Sequence, residues 1–241
     1  MDLFLDSARE ALRLLFSGNR YLLDVMLLSL RVSGVAVVVG VLLGIPVGVG
    51  VAITRFPGRN LVVALIHTGF ALPPVVVGLF VYMLLSRAGP AGALELLFTP
   101  AAMVLAQAIL AAPYVAGISL AAVQAVPPDV RLQARALGAS RARALWTHLR
   151  EARLGLMAAV VAGFGAVISE VGAVMLVGGN ILGETRVMTT VIVLETRRGN
   201  FAAAMALGMV LLLLAFSVNV VLTRAQQGGR GVADAAIHPW S

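Results

Sequence analysis

An arginine-rich stretch at residues 131–146, RLQARALGASRARALW, holds the first side chains that could do chemistry. It carries four arginines around a central glycine, in a chain that is 60% hydrophobic. A guanidinium group presents its donors in a fixed planar fork that matches carboxylate and phosphate geometry. The stretch therefore indicates a surface for an acidic, hydrogen-bonding partner. The simpler alternative is a solvated loop that only sets the orientation of the chain in a membrane.

Glu170 is the second candidate, because it is the one acid within the apolar run 154–177. A carboxylate inside a membrane span costs about 2.5–3.5 kcal/mol on insertion scales and is by default a functional candidate. His67, in the apolar run 61–85, is instead expected to be a hydrogen-bonded histidine of a helix bundle. The sequence contains neither HExxH nor GxSxG, and it has no GxxxxGK[ST] phosphate loop. Catalytic residues are therefore not predicted, and neither is a metal site.

The elements that must position these residues are membrane helices. Only 12% of the residues are charged, against about a quarter in ordinary soluble domains, and the mean hydropathy is +0.99. Apolar runs of about 20 residues are long enough to cross a bilayer. The sequence predicts an all-α membrane protein with transmembrane spans at about 32–53, 61–85, 101–126, 154–177 and 201–223.

The segments outside these spans are assigned by composition. Residues 1–20 are predicted to form an interfacial amphipathic helix rather than a cleavable signal, because the first charges are acidic. Residues 21–224 form the membrane domain, and residues 225–241 are expected to be a flexible tail. Residues 178–200 contain an apolar run too short to span a bilayer, so this segment is either re-entrant or an ordinary outer loop.

All eighteen basic residues are arginine, and the net charge is +7. Nucleic-acid binding is not predicted, because no basic face is interleaved with aromatic residues. Ten of the arginines fall on one side of a five-span topology, and six of these lie at 131–153. Because arginine collects in cytoplasmic loops, we expect residues 127–153 and the C-terminus to be cytoplasmic and the N-terminus to lie outside. The absence of cysteine excludes disulfides and thiol catalysis.

Residues 127–153 are predicted to form a helix–turn–helix. Pro128 and Asp129 suit the start of a helix that runs to about Leu137. Gly138 can take the positive φ that ends many helices, and Ser140 is a plausible N-cap for a second helix. In that helix one face is apolar, and the other carries the arginines and His148. The apolar positions are Ala142, Leu145, Trp146 and Leu149.

The stretch ARALGASRARALW resembles the cytoplasmic EAA loop of ABC importer permeases, and ISEVGAVMLVGGNILGETRVMTTVIVLETRRGNF resembles their oxyanion branch, the molybdate, sulfate and tungstate permeases. Within that branch the likeness is greatest to the tungstate permeases. The resemblance covers roughly residues 25–223. Aligned on Gly138, the family's Glu-Ala-Ala falls on Leu132, Gln133 and Ala134, so the glutamate is missing here.

The resemblance implies a type I ABC importer permease-like bundle of about five transmembrane helices, with residues 127–153 as the coupling loop. The second short helix would dock in a cleft of a cytoplasmic ATPase dimer. Further implied partners are a second copy of the chain and an extracytoplasmic oxyanion-binding protein, in a multi-pass inner-membrane assembly surrounded by lipid. No cofactor would be bound by this chain, because ATP and Mg would be used by the ATPase. The implied coupling residues are Arg135, Ala136, Leu137, Gly138, Ala139, Ser140, Arg141, Leu145 and Trp146.

An oxyanion needs a polar route with hydrogen-bond donors and few carboxylates, and backbone N–H groups at glycine-rich turns are suitable donors. We therefore interpret Glu170 as a structural or gate-orienting residue, paired with Arg186 or with a backbone N–H of the loop, rather than as a ligand. The predicted pathway and gate residues are Glu170, Gly172, Gly178, Gly179, Asn180, Thr185, Arg186, Thr189 and Thr190.

The function that follows is the membrane permease of a binding-protein-dependent ABC importer for tungstate, working by ATP-driven alternating access. Molybdate and sulfate remain alternatives, since these ions share shape and charge with tungstate. An alternative of another class is a proton-coupled secondary transporter with Glu170 or His67 as its relay. A single acid in a span core and the lack of inverted repeats count against it.

Overall fold

The computed structural model describes residues 9–13 and 18–227, and the described residues contain α-helices and one short 3-10 turn but no strand. Residues 9–13 are helical; the rest of the predicted interfacial helix at 1–8 and 14–17, and the tail beyond 227, lie outside the described residues. In chain order the helices are α1 Arg20–Ile53, α2 Arg59–Phe70, α3 Pro74–Leu85, α4 Pro100–Ala125, α5 Asp129–Ala136, α6 Arg141–Glu151, α7 Arg153–Ile168, α8 Gly172–Gly178, α9 Met188–Arg197 and α10 Phe201–Gln227.

The bundle is built around α1 and α4, which pack along much of their lengths. Gly40, Gly44 and Gly48 lie four residues apart on α1 and face α4. A Cβ added to Gly40 would lie 2.8 Å from the Cβ of Ala111, and one added to Gly44 would lie 2.8 Å from the carbonyl oxygen of Ala112. Small residues at this spacing let two membrane helices approach closely. Backbone and small side-chain atoms of α4 therefore fill the space that a larger residue at these glycines would occupy.

The predicted span 61–85 consists of two helices, α2 and α3, whose axes are bent by 99°. The break falls at Ala71–Pro73, and Pro74 occupies the first helical position of α3. Proline has no N–H and its ring clashes with the preceding turn, so it ends one helix and is well suited to begin the next. A single straight helix across this stretch is therefore not formed.

The predicted span 154–177 is also interrupted. Helix α7 ends at Ile168, and the short helix α8 begins at Gly172 and packs against α3 and α4. At its start, α7 is bent by 56° from α6. The described residues thus include three helices long and apolar enough to cross a membrane, namely α1, α4 and α10, or up to five spans if each bent pair counts as one.

The segment 178–200 folds back into the bundle before it leaves again. The backbone N–H of Met188, at the start of α9, donates a hydrogen bond of 2.9 Å to the hydroxyl of Ser29 on α1. The first turn of α9 is buried, whereas residues 196–200 at its far end are exposed. Helix α9 then packs along α10. The start of the segment is thus packed against α1 and its end is exposed, and whether it is re-entrant or an outer loop stays a prediction.

Several large apolar side chains point outward from the long helices. Leu42 on α1 is 68% exposed, and Leu212 on α10 is 71% exposed. In water such a surface would favour aggregation, whereas hydrocarbon solvates it. The bundle therefore has the exterior of a membrane protein.

Candidate functional site

Residues 127–153, the predicted coupling loop, form a helix–turn–helix, as the sequence predicts. Helix α5 ends at Ala136, and Gly138 takes a φ of +84°. The hydroxyl of Ser140 accepts a hydrogen bond of 3.3 Å from the backbone N–H of Arg143 and so caps α6. A Cβ added to Gly138 would meet no other atom. Glycine is therefore favoured at this position by its backbone conformation and not by crowding.

The tip of the coupling loop exposes large apolar groups beside its arginines. Leu137 is 89% exposed, Trp146 is 68% exposed and Leu132 is 63% exposed. Arg135 and Arg141 are exposed as well. Exposed aromatic and aliphatic side chains next to arginine are typical of the central residues of protein interfaces. The loop therefore offers a surface suited to another protein.

His148 departs from the prediction, which placed it among the exposed polar residues of α6. It is 2% exposed, and its Nε2 lies 3.1 Å from the carbonyl oxygen of Val123 in α4. Because a carbonyl oxygen only accepts, Nε2 carries the hydrogen of this bond. The face of α6 that packs against the bundle is centred on Ala144 and His148, both buried, while Ala142 and Trp146 of the predicted apolar face are exposed. Periodicity therefore located an apolar stripe but did not show that the histidine faces the bundle.

The environment of His148 favours its neutral form. Burial lowers the pKa of His148 below its ordinary value of 6.5, and the positive charge of Arg131 lowers it further. The hydrogen bond to the carbonyl of Val123 acts in the opposite direction but does not reverse the shift. The other ring nitrogen, Nδ1, has no hydrogen-bond partner among the described residues.

Glu170 lies at the break between α7 and α8. Its Oε1 accepts a hydrogen bond of 3.0 Å from the backbone N–H of Ala173, in the first turn of α8. Its own carbonyl oxygen accepts a bond of 3.0 Å from the hydroxyl of Thr189. The side chain of Glu170 therefore bonds to the first turn of a helix, and not to Arg186 or to a loop N–H as predicted. The residue connects the start of α8 to the start of α9.

Two glycines near this break permit the close approach of other helices. A Cβ added to Gly172 would lie 2.6 Å from a methyl carbon of Val75 on α3, and one added to Gly178 would lie 2.9 Å from the sulfur of Met103 on α4. Both residues were predicted as pathway members. Their contacts show a packing role, and a contact with a substrate remains a prediction.

The turn that follows α8 is held by its own polar groups. Gly179, Asn180 and Gly183 all have positive φ. The guanidinium group of Arg186 donates to both the side-chain oxygen and the carbonyl oxygen of Asn180, at 3.2 Å each, and reaches the hydroxyl of Tyr21 at 3.5 Å. Arg186 therefore fixes the turn and connects it to the first residues of α1.

The three predicted threonine donors are buried and already bonded to the backbone. The hydroxyl of Thr185 donates to the carbonyl of Gly178 and accepts from the N–H of Ile181. That of Thr189 donates to Glu170, and that of Thr190 donates to the carbonyl of Val187. In this arrangement these hydroxyl groups position the segment, and their donation to a substrate stays a prediction.

A cavity of about 360 Å³ lies between this turn and the first turns of α1. Its charged and polar lining consists of Tyr21, Asp24, Arg31, Glu184 and Arg186. The residues of α1 in this lining were not predicted as site residues. Tyr21, Asp24 and Arg31 are separated by three and seven residues, a spacing that places them on one face of the helix. This periodicity is the feature of the sequence that could have identified them as neighbours.

His67 is exposed on α2, and its ring lies edge-on to that of Phe70 at 5.7 Å. This corrects the expectation of a histidine hydrogen-bonded within the bundle, because α2 packs against α4 through its buried residues Ile66 and Gly69, and His67 lies outside that face. Within the described residues, no three His, Asp or Glu side chains are grouped as metal ligands would be.

Residues 40–228 match the family of binding-protein-dependent transport system inner membrane components. The chain is 44% identical over 221 residues to a probable anion ABC transporter permease protein of Haloferax volcanii, with 88% of this chain and 95% of that protein covered. It is 36% identical over 227 residues to the tungstate uptake system permease protein of Peptoclostridium acidaminophilum, with 94% and 100% covered. The corresponding protein of Campylobacter jejuni is 34% identical, with 92% of each chain covered.

A crystal structure of an amino acid ABC transporter with histidines has a similar fold. Its TM-score is 0.63 at 20% identity, and the match covers 88% of this chain and 94% of that chain. At this identity the likeness supports the arrangement of helices alone.

Proposed function

Since the chain belongs to the family of binding-protein-dependent transport system inner membrane components, we propose that it is the permease through which an ABC importer takes up tungstate. The chain is a multi-pass membrane subunit and not an enzyme, and its family works with a separate ATPase and a substrate-binding protein. Two relatives named as tungstate permeases, similar over more than nine-tenths of this chain, support the choice of substrate. This similarity over nearly the whole chain is the observation that carries the proposal.

The coupling loop is the proposed contact with the ATPase dimer. The exposed side chains of Leu137 and Trp146 would enter a cleft of that partner, and Arg135 and Arg141 would pair with acidic groups at its rim. Arginine and aromatic groups frequently dominate such interfaces. ATP and Mg would be bound by the ATPase, and no cofactor is assigned to this chain.

The proposed orientation follows from the arginines. The coupling loop and the C-terminal end of α10 lie on one side, since Gln226 donates a hydrogen bond to the carbonyl of Leu154 next to that loop. If this side is cytoplasmic, the N-terminus is outside and the turn at 178–186 faces the binding protein. The positive-inside rule favours this orientation.

A second copy of the chain is the proposed partner within the membrane. The number of spans, three to five, is small for a transporter that works alone, and two copies would enclose a pathway between them. ATP-driven rocking of the two copies would then open that pathway alternately to each side. We assign Glu170 to the element that moves, because it connects the starts of α8 and α9.

The substrate is tested by purifying this chain with its ATPase and its binding protein in lipid nanodiscs and measuring ATP hydrolysis. We expect the tungstate-loaded binding protein to stimulate hydrolysis several-fold over the unloaded protein, which is the control. If only the molybdate-loaded or only the sulfate-loaded binding protein stimulated hydrolysis, the substrate would be that ion and not tungstate. A failure of all three to stimulate hydrolysis would contradict the assignment to oxyanions.

A further inference from the structure

A cavity of about 460 Å³ lies where the end of α1, the start of α2 and the coupling-loop helix α5 meet. Three arginines from these three segments line it: Arg55, Arg59 and Arg131. The other lining residues are Ala52, Ile53 and Thr54, so no carboxylate contributes to the wall. The site is distinct from the cavity between α1 and the turn after α8, and from the exposed tip of the coupling loop.

The charge of this cavity is not balanced by the described residues. The Nε of Arg59 donates a hydrogen bond of 2.9 Å to the carbonyl of Val51, which fixes this guanidinium at the wall but leaves its charge uncompensated. Neither Arg55 nor Arg131 forms an ion pair with an acid in the described part of the chain. Like charges in one cavity repel each other, and a bound anion would remove that repulsion. Three planar donor groups around an open volume are suited to the oxygens of a phosphate group.

The position of the cavity at the end of an apolar helix indicates the source of an anion that could bind there. Ala52 and Ile53 are the last residues of the apolar helix α1, and the exposed Phe56 lies three residues further along the chain. A smaller adjoining cavity of about 270 Å³ includes Arg55, Phe56 and Arg59. Arginines that follow the end of a span lie near the lipid headgroups, where they attract anionic lipids. A phospholipid could therefore place its phosphate here while its acyl chains remain in the hydrocarbon.

We propose that the phosphate of an anionic phospholipid binds between Arg55, Arg59 and Arg131. Because Arg131 belongs to the coupling loop, Arg55 to the α1–α2 turn and Arg59 to the start of α2, the lipid joins the loop to the membrane bundle. The proposal goes beyond the transport of tungstate and does not depend on it.

The test measures how much phosphatidylglycerol remains bound to the full-length chain, purified with its ATPase, after exchange into detergent. We expect the Arg55→Gln/Arg131→Gln variant to bind this lipid about 25-fold more weakly, since each arginine near a lipid surface accounts for about a fivefold change. The matched control is Arg224→Gln, an exposed arginine near the end of α10, which should retain the lipid as the original chain does. Phosphatidylcholine, which has no net charge, should not be retained by any of them.

Two further measurements keep the proposal falsifiable if the double variant assembles poorly. Arg55→Lys/Arg131→Lys preserves the charge and should recover most of the binding, although the planar donors are lost. Millimolar inorganic phosphate should not displace the lipid from the unaltered complex. Equal retention by the glutamine variant and the unaltered chain would overturn the site, and displacement by inorganic phosphate would overturn its assignment to a lipid.

Discussion

The Nε2 of His148, in the second helix of the coupling loop, lies 3.1 Å from the carbonyl oxygen of Val123, in the last turn of the central helix α4. The histidine is almost fully buried, and so is Val123. The loop that meets the ATPase in the proposed function is therefore attached to the bundle by a specific hydrogen bond. Movement of α6 would be passed directly to α4.

The lowered pKa of His148 predicts a dependence of stability on pH. Because the folded chain holds the pKa below 6.5, the unfolded chain binds more protons in the window just below that value. Stability should therefore fall as the pH decreases from about 7 through that window. We expect His148→Gln, which can keep the donor to Val123 but does not titrate, to reduce this fall, as measured by thermal unfolding in detergent at pH 7.5 and 5.5. Identical pH profiles for the two proteins would contradict the prediction.

The exposed side chain of Trp146 should contribute to binding of the ATPase and not to folding. We expect Trp146→Ala to weaken that binding by about 2 kcal/mol, a typical value for a buried interface anchor, without changing the melting temperature. The dissociation constant for the purified ATPase in nanodiscs is the measurement. Leu182→Ala is the matched control, because Leu182 is 62% exposed but lies in the turn after α8. If Leu182→Ala weakened binding of the ATPase as much as Trp146→Ala does, the loss could not be assigned to a contact of Trp146.

Gly138 should be intolerant of side chains because of its φ of +84° and not because of space. We expect Gly138→Val to cost about 1–3 kcal/mol in backbone strain and to lower the stimulation of ATP hydrolysis by the loaded binding protein. Gly138→Asn should be better tolerated, since asparagine enters this backbone region more readily. If valine and asparagine reduce stimulation equally, the conformation of the turn is not the cause.

The contact of Glu170 with the N–H of Ala173 predicts different results for two substitutions. Glu170→Gln keeps an acceptor oxygen, whereas Glu170→Ala removes it and should cost about 0.5–2 kcal/mol, as the loss of an N-cap does. We therefore expect uptake and thermal stability to be affected more by alanine than by glutamine. Equal loss with both variants would indicate that the negative charge itself is needed. No change in assembly or uptake with either variant would end the assignment of Glu170 to the gate.

Substitutions at two glycines of α1, Gly48 and Gly50, test its close approach to α4. A Cβ added to Gly48 would overlap the carbonyl oxygen of Ala116, whereas one added to Gly50 would meet nothing. We expect Gly48→Ala to destabilise the bundle by about 1–3 kcal/mol, as overpacking commonly does. Gly50→Ala should be neutral or slightly stabilising, because alanine favours a helix over glycine. The melting temperatures in detergent give the comparison, and equal values would contradict the packing of these two helices.

Much of the coupling loop could be predicted from local chemistry. Pro128, Gly138 and Ser140 each determine backbone geometry within a few residues, and the helix start, the turn and the N-cap are found where these residues predict them. The burial of His148 could not be predicted in this way. It depends on a carbonyl of α4 that is 25 residues distant in the chain, and helical periodicity alone does not identify which face meets another helix.

In the membrane helices too, some features could be predicted from the local sequence and others depend on tertiary contacts. The repeated spacing of Gly40, Gly44 and Gly48 was visible in the sequence and would have predicted a close helix contact. The helix that makes this contact, and the bend of 99° between α2 and α3, depend on how neighbouring helices satisfy the backbone groups that proline leaves free. Similarly, the threonines at 185, 189 and 190 were expected as donors to a substrate, but their hydroxyls are bonded to nearby carbonyls.

The sequence by itself determined that this chain lies in a membrane, where the two helices of the loop at 127–153 begin and turn, and that this loop carries the exposed arginines. These properties follow from hydropathy, proline, glycine and capping residues, which act over a few neighbouring positions. Only the tertiary structure decided that Glu170 connects two helix starts, that His148 attaches the loop to α4, and that three arginines from separate segments share one cavity. Such contacts join residues far apart in the chain, and they form only because burial of the apolar helix faces brings those segments together.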